Sequence, residues 1–268
     1  MKYLSIIPKC NLLKTSLTAL SILFVFSCNI SPTEIDYGEP RLTATLRTPI
    51  QIATKGFSQL GLGGDRDGTL YVPESYSFDK FMPLLVALHG AGGSSSYWKS
   101  YQIRAEERAM IVLAIDSRSR TWDLLLGGYG DDLQFLDRAL KYVFLRCNID
   151  PEHIAMCGFS DGATYALSLG ISNGDLFSHL IGFSPGFVFS LDPIVGEPKI
   201  YISHGTRDSV LPVQGSRDTI VPTFISYGYD VTYNEFDGGH QVPASISEAA
   251  LDWFIGPPVN DEEPELNL

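Results

Sequence analysis

The stretch that decides the fold is I-A-M-C-G-F-S-D-G-A-T-Y-A, residues 154–166. A short apolar run leads into the turn G-F-S-D-G, residues 158–162, and small residues at helical spacing follow it. This pattern predicts a strand, a sharp turn and a helix. So tight a turn strains its central residue and brings strand and helix so close that only glycine fits two positions before and after it. Ser160 is therefore expected at the tip of the turn with its Oγ atom free.

The first 27 residues have the composition of an export signal. They carry three lysines and no acidic residue, and their apolar run, residues 17–26, is followed by Ser27 and Cys28. The run is shorter than the about 20 residues that a membrane span needs. A cysteine directly after a small residue resembles the bacterial lipobox and predicts lipidation at Cys28. The other interpretation is a cleaved secretory signal with an incidental cysteine.

The rest of the chain predicts three further regions. Residues 28–40 contain two prolines and three acids and are interpreted as a tether. Residues 41–255 are interpreted as one α/β domain, and the proline-rich, acidic residues 256–268 as a disordered tail. We expect an exported, membrane-anchored lipoprotein of a bacterial cell envelope, on its periplasmic or surface side.

Charge and cysteine content argue against some partners. The 31 acidic residues outnumber the 19 basic ones and give a net charge of −12, which disfavours nucleic acid as a partner.

Cys147 and Cys157 are predicted to lie about a strand length apart, whereas a disulfide needs Cα atoms within about 7 Å, so both are expected to be free. Neither cysteine has the spacing of a metal site, and no metal is predicted.

Alternating and continuous apolar runs predict the strands before the turn. Residues 41–72 have a β pattern, in which Leu42, Ala44 and Leu46 alternate and residues 56–62 and 68–72 form a hairpin. The run P-L-L-V-A-L, residues 83–88, is typical of a strand buried on both faces.

Downstream, helices and strands are predicted to alternate. This rhythm indicates the α/β class, with a mostly parallel sheet, helices on both faces and a site at the carboxyl ends of the strands. The predicted helices are residues 97–108, 131–146, 160–171, 215–227 and 245–254, and the predicted strands are residues 110–116, 154–158, 179–184, 199–204 and 230–236.

A serine nucleophile needs an adjacent base, and the base needs an orienting carboxylate. Asp208 and His240 each follow a predicted strand, and the order Ser160, Asp208, His240 is the one typical of α/β-hydrolases. Asp218, inside a predicted helix, and Asp192, in a loop before a strand, are the alternative acids.

With these residues in this order, the chain resembles the α/β-hydrolase superfamily. Within that superfamily it is similar to compact esterases such as polyhydroxybutyrate depolymerases, feruloyl esterases and the carboxylesterase/phospholipase group. The resemblance covers residues 68–253. It rests on four motifs in order: H-G-A-G-G at 89–93, D-P-E-H-I-A-M-C-G-F-S-D-G-A at 150–163, H-G-T-R-D at 204–208 and G-G-H at 238–240.

The resemblance implies that Ser160 attacks, His240 transfers the proton and Asp208 orients the imidazolium. It also implies that the backbone N–H groups of Asp161 and Ala91 bind the oxyanion, with Gly92 as the alternative to Ala91. Asp161 opens a predicted helix, whose first amides favour negative charge. No cofactor and no metal are implied.

Aromatic residues near the predicted site are candidates for substrate binding: Tyr97, Trp98, Trp122 and Tyr129. Residues 185–198 are too few for a helical cap, so a shallow groove without a large cap domain is expected. We therefore expect a serine carboxylic ester hydrolase for short-chain or aromatic acyl esters, including esters on glycans, anchored to a membrane by its lipid. The alternatives are a serine peptidase, an acyl-thioesterase or lysophospholipase of the same fold, and a catalytically inactive anchored binding protein.

Overall fold

The computed structural model describes residues 38–189 and 191–258. The predicted signal segment 1–27, the lipidation of Cys28, residues 28–37 of the predicted tether and residues 259–268 of the predicted tail lie outside the described residues. Within the described ranges, no helix is both long and apolar enough to cross a membrane. The same ranges contain no cluster of three or more metal-ligating side chains.

One eight-stranded sheet forms the centre of the domain. Its strands are β1 (Gly56–Gln59), β2 (Gly68–Val72), β3 (Met82–Leu88), β4 (Ile111–Ile115), β5 (Ile149–Phe159), β6 (His179–Phe183), β7 (Lys199–Gly205) and β8 (Val231–Phe236). Their order across the sheet is β1-β2-β4-β3-β5-β6-β7-β8. β1 and β2 are antiparallel to their neighbours, and β3 to β8 are all parallel. The predicted sheet is thus confirmed as mostly parallel.

Helices cover both faces of this sheet. They are α1 (Tyr101–Glu107), α2 (Asp123–Leu126), α3 (Asp131–Phe144), α4 (Asp161–Ile171), α5 (Val221–Ser226) and α6 (Ala244–Ile255), with a 3₁₀ turn at Ser95–Ser100 and a π turn at Ser216–Ile220. Apolar side chains of α3, α4 and α5 pack on one face, and those of α1 and α6 pack on the other. Because the parallel strands are covered on both sides, they consist of nearly continuous apolar residues, as in I-V-L-A-I of β4.

The strand register brings the carboxyl ends of four parallel strands, β3 to β6, to one edge of the sheet. Leu88 of β3 is paired with both Ile115 of β4 and Gly158 of β5, and Phe159 is paired with Phe183 of β6. The loops that follow these strands therefore begin side by side. This edge, called the carboxyl edge below, carries the candidate site.

The prediction of a strand around residues 41–46 is wrong. The segment has no strand pairing, although Leu42 and Ala44 are buried and Thr43 is exposed. Its backbone N–H groups at Thr43 and Ala44 each donate to Oδ1 of Asp137 on α3 at 2.7 Å. The alternation therefore reflects an extended segment that lies along a helix. Helix α2 was not predicted either, because it is only four residues long.

The two cysteines of the domain, Cys147 and Cys157, are free and buried. Burial raises the pKa of the Cys147 thiol to about 12 and that of the Cys157 thiol well above its ordinary value. Both thiols are therefore protonated at neutral pH and pack as small apolar side chains.

Candidate active site

The turn between β5 and α4 needs glycine at two positions. A Cβ atom on Gly158 would lie 2.1 Å from the carbonyl oxygen of Gly162, and one on Gly162 would lie 2.4 Å from the carbonyl oxygen of Leu88. Between them, Ser160 has φ 56° and ψ −121°, a left-handed conformation that a non-glycine residue adopts only at a cost. Backbone packing thus enforces the G-x-S-x-G spacing and presents the Ser160 hydroxyl at the carboxyl edge.

Three predicted side chains meet at this edge in a continuous line of hydrogen bonds. Nε2 of His240 lies 2.9 Å from Oγ of Ser160, and Nδ1 of His240 lies 2.6 Å from Oδ2 of Asp208. Because a carboxylate only accepts hydrogen bonds, Nδ1 carries the proton in neutral His240 and Nε2 is free to accept one from Ser160. This is the arrangement of a nucleophile, a general base and an orienting acid.

Asp208 is held as a buried carboxylate. Its side chain has no solvent exposure, and its Oδ1 accepts the backbone N–H groups of Val210 at 2.9 Å and Leu211 at 2.8 Å. Burial alone would raise the pKa of Asp208, but the donors from Leu211, His240 and Val210 outweigh it and hold that pKa below its ordinary value. Asp208 therefore stays ionised opposite His240.

The two alternative acids lie elsewhere. Asp192 precedes Pro193 in the loop after β6, and Asp218 lies in the π turn, and both are exposed. The Nδ1 atom of His240 is hydrogen-bonded to Asp208 instead. The geometry therefore favours Asp208 over both.

Two backbone N–H groups are available to bind an oxyanion. Asp161 is the first residue of α4, where helical amides have no carbonyl partner within the helix. The N–H of Gly92 donates to the carbonyl of Arg120 at 2.7 Å, whereas the N–H of Ala91 has no hydrogen-bond partner among residues 38–189 and 191–258. Of the two candidates on this loop, the geometry therefore favours Ala91.

The loop that carries Ala91 is held by hydrogen bonds to the buried His89 and the partly buried Arg66. The Nδ1–H of His89 donates to the carbonyl of Gly90 at 2.7 Å, and its Nε2 accepts the N–H of Ser117 at 3.0 Å. Arg66 donates to the carbonyl of Gly93 at 3.0 Å. Burial lowers the pKa of His89, outweighing its contact with Gly90, and the positive charge of Arg66 lowers it further. His89 is thus a neutral imidazole that supports the loop.

Two of the four predicted substrate-binding residues do not line the site. Trp122 has no exposed surface, and its indole N–H donates to the carbonyl of His89 at 2.9 Å. Trp98 is 2% exposed and packs edge-on against Tyr101. Both predictions are therefore wrong, because these indole rings point into the core. Tyr129 is partly buried against Tyr165, and its role in substrate binding stays a prediction.

Tyr97 does lie near the triad, because it stacks on Phe159, a residue that the sequence analysis missed. Tyr97 is 43% exposed, and its ring stacks parallel to that of Phe159 at 5.7 Å between centroids. The Phe159 ring in turn lies 4.7 Å from the ring of His240. Phe159 is the second residue of G-F-S-D-G, so its position beside Ser160 could have been read from the sequence.

A second apolar wall was also missed. Gly186, in the loop after β6, donates its N–H to Thr164, one turn after Ser160, and faces the side chain of Leu211. The next residue, Phe187, is 45% exposed and packs edge-on against Phe189 at 4.8 Å. Since Asp208 accepts the N–H of Leu211, the Leu211 and Gly186 part of this wall adjoins Asp208.

Comparison with known proteins agrees with this architecture. No family model matches the chain. It is 33% identical over 106 residues to an acetylxylan esterase of Coprinopsis cinerea, an alignment that covers 35% of this chain and 28% of that protein. It is 28% identical over 160 residues to a probable feruloyl esterase C of Aspergillus terreus, covering 56% and 57%. The chain thus spans about half or less of the length of these curated relatives.

Solved structures share the fold. Esterase PE8 superposes with a TM-score of 0.58 at 21% identity, covering 71% of this chain and 98% of its own. A ferulic acid esterase of Anaeromyces mucronatus superposes with a TM-score of 0.59 at 19% identity, covering 84% and 97%. The chain therefore has the α/β-hydrolase fold, and its resemblance to the serine esterases of that fold is confirmed.

Proposed function

We propose that this protein is a serine hydrolase of carboxylic esters that works through an acyl-enzyme, with Ser160 as nucleophile, His240 as general base and Asp208 as orienting acid. The observation that carries the proposal is the unbroken line of hydrogen bonds from Oγ of Ser160 through His240 to Asp208. The similarity to acetylxylan and feruloyl esterases supports the same reaction class.

The proposed reaction has two symmetrical halves. Oγ of Ser160 attacks the ester carbonyl carbon while Nε2 of His240 takes its proton, and the N–H groups of Ala91 and Asp161 stabilise the oxyanion. The imidazolium then gives that proton to the departing alcohol, which leaves an acyl group on Ser160. Water, deprotonated by His240, attacks this acyl group, and the carboxylic acid leaves as Ser160 regains its proton.

For the substrate we propose esters of short or aromatic acids, including such esters on glycans. Tyr97 and Phe159 form a stacked aromatic pair next to His240, with the Tyr97 ring on the outer side of the pair. Leu211, which faces Gly186, lies beside Asp208, and the exposed Phe187 follows Gly186 in the chain. A planar cinnamoyl group fits against the exposed Tyr97 ring by stacking. The names of the relatives, feruloyl esterase and acetylxylan esterase, support the same two acyl types.

The loop after β6 supports an open groove. Its described residues, 185–189 and 191–198, contain no helix, so no helical cap is built from this segment. An open groove admits a bulky alcohol but leaves a long acyl chain in water. It therefore forgoes the about 0.8 kcal/mol that burial of each CH₂ would supply.

A panel of p-nitrophenyl esters from C2 to C12, with feruloyl and acetyl sugars, tests this substrate class. We expect turnover to be highest for acetyl to butyryl or cinnamoyl-type esters. A rate that climbs steadily from C4 to C12 would instead require an apolar acyl channel and a lipase or thioesterase function.

We also propose that the protein is exported and anchored to a membrane of a bacterial cell envelope through a lipid on Cys28. The support lies in the sequence alone: an acid-free, lysine-containing leader, a short apolar run, and a cysteine after a serine.

A further inference from the structure

A second histidine, besides His240, lies next to the Asp208 carboxylate. His204, on β7, has no solvent exposure. Its Nε2 lies 2.7 Å from the carbonyl oxygen of Leu211 and 3.3 Å from Oδ2 of Asp208, and its Nδ1 lies 2.8 Å from Oγ of Ser216. All hydrogen-bonding atoms of this imidazole are thus engaged.

These contacts fix the tautomer of His204. A carbonyl oxygen only accepts, so Nε2 carries the proton, and Nδ1 must accept from the hydroxyl of Ser216. Burial lowers the pKa of His204 and outweighs the opposite effects of the Leu211 carbonyl and Asp208, so the ring stays neutral. Its Nε2–H points between Leu211 and Asp208, the reverse of the tautomer that His240 presents to the same carboxylate.

The contacts close a ring around Asp208. Leu211 donates its N–H to Oδ1 of Asp208 and accepts Nε2–H of His204 at its carbonyl oxygen. Oδ2 of Asp208 faces both His204 and His240. A displacement of His204 would leave the Leu211 carbonyl without its donor and would free the turn that carries Asp208 to rotate away from His240.

We propose that His204 is a positioning residue, whose neutral imidazole locks the Asp208 carboxylate and the turn through Leu211 so that Oδ2 stays aimed at Nδ1 of His240. The role rests on the proposed function, because it acts only through the triad. It differs from a general packing role, since it requires a hydrogen-bond donor at the position of Nε2.

Two substitutions of His204 separate these roles. His204→Leu fills a similar volume with an apolar side chain and removes the Nε2–H donor. We expect kcat to fall about 10- to 100-fold, as for a small misplacement of a catalytic group, and KM to change less than about twofold. His204→Gln places an amide N–H near the position of Nε2, and we expect it to restore kcat to within about threefold of wild type. His153→Leu, at a partly exposed histidine on β5, is the matched control and should leave kcat unchanged.

A double-mutant cycle adds a readout that a packing role would not move. In an Asp208→Asn background, His204→Leu should lower kcat less than about twofold further, because residues acting as one unit are not additive. If His204→Leu lowered kcat by the same factor in both backgrounds, the proposal would be contradicted. It would also be contradicted if the wild type were active and the His204→Leu variant had the same activity. A wild type without esterase activity would overturn the proposed function together with this role.

If His204→Leu does not fold, Ser216→Ala carries the test. It removes the hydroxyl that fixes the tautomer and leaves the ring in place, and we expect kcat to fall about fivefold at unchanged KM. The proposal would be contradicted if kcat of Ser216→Ala were unchanged. It would also be contradicted if His204→Gln folded but were inactive.

Discussion

The position of a Cβ atom on Gly158 lies only 2.1 Å from the carbonyl oxygen of Gly162, across the turn that carries Ser160. Both groups belong to the backbone, so neither can move aside without shifting the strand or the helix. Gly158→Ala should therefore destabilise the protein by about 3 kcal/mol, the upper part of the usual range for overpacking.

Urea unfolding of the purified variant measures this cost. Gly64→Ala is the matched control, because a Cβ atom there has nothing within 4 Å, and its effect should stay within about 0.5 kcal/mol. Equal stabilities of the two variants would contradict the close approach of β5 and α4.

The second prediction ranks the candidate acids. Asp208→Asn keeps the shape of the side chain but presents His240 with an amide, which favours the wrong tautomer, and kcat should fall about 10⁴-fold. Asp218→Asn, at an exposed residue of the π turn, should retain nearly full activity. Steady-state kinetics on p-nitrophenyl acetate compares them, and the reverse ranking would transfer the role of the acid to Asp218.

The third prediction concerns stability and pH. Burial raises the pKa of Asp132 to about 6, although its carboxylate accepts backbone N–H groups of Arg118 and Asp123. The folded state therefore binds this proton more tightly than the unfolded state. Protonation of Asp132 adds to the free energy of unfolding below about pH 4, and this contribution is lost as pH rises to about 6.

Asp132→Asn cannot titrate and serves as the reference. Between pH 4 and pH 7, the free energy of unfolding of wild type should fall by about 2 to 3 kcal/mol relative to this variant, given about 1.4 kcal/mol per pKa unit. Urea unfolding at pH 4, 5, 6 and 7 tests the sign. A difference that is flat, or that grows in favour of wild type with pH, would contradict a raised pKa at Asp132.

The arrangement of the site was predictable where it depends on topology. Ser160, Asp208 and His240 each follow a strand of a parallel sheet, and parallel strands end at one edge, so their meeting could be expected from their order alone. The two glycines of G-F-S-D-G were predictable for a similar reason, because a Cβ atom at either position would clash with the backbone in any chain that makes this turn.

Side-chain direction was not predictable in the same way. Trp98 and Trp122 follow the correct strands, but their rings turn into the core, whereas Tyr97 turns toward Phe159. Position in the chain does not determine which of these faces the substrate. The course of residues 41–46 depends on Asp137, a partner 94 residues away from Thr43, and no local pattern encodes that contact.

The fourth prediction concerns the proposed anchor. Cys28→Ser removes the only thiol that the lipobox-like sequence offers for lipidation and should move the protein from the membrane fraction to the soluble fraction. Mass spectrometry of the wild-type N-terminus provides the direct check. An unmodified N-terminus at any other residue would contradict lipidation at Cys28.

The central claim is that Ser160 is a nucleophile activated by His240, and covalent labelling tests it most directly. Wild-type protein is incubated with a fluorophosphonate probe, digested, and analysed by mass spectrometry, with Ser160→Ala as the control at matched melting temperature. We expect one adduct, on the peptide that contains Ser160, and none in Ser160→Ala. A folded wild-type protein that takes no label, or one that takes label on another residue in both proteins, would contradict it.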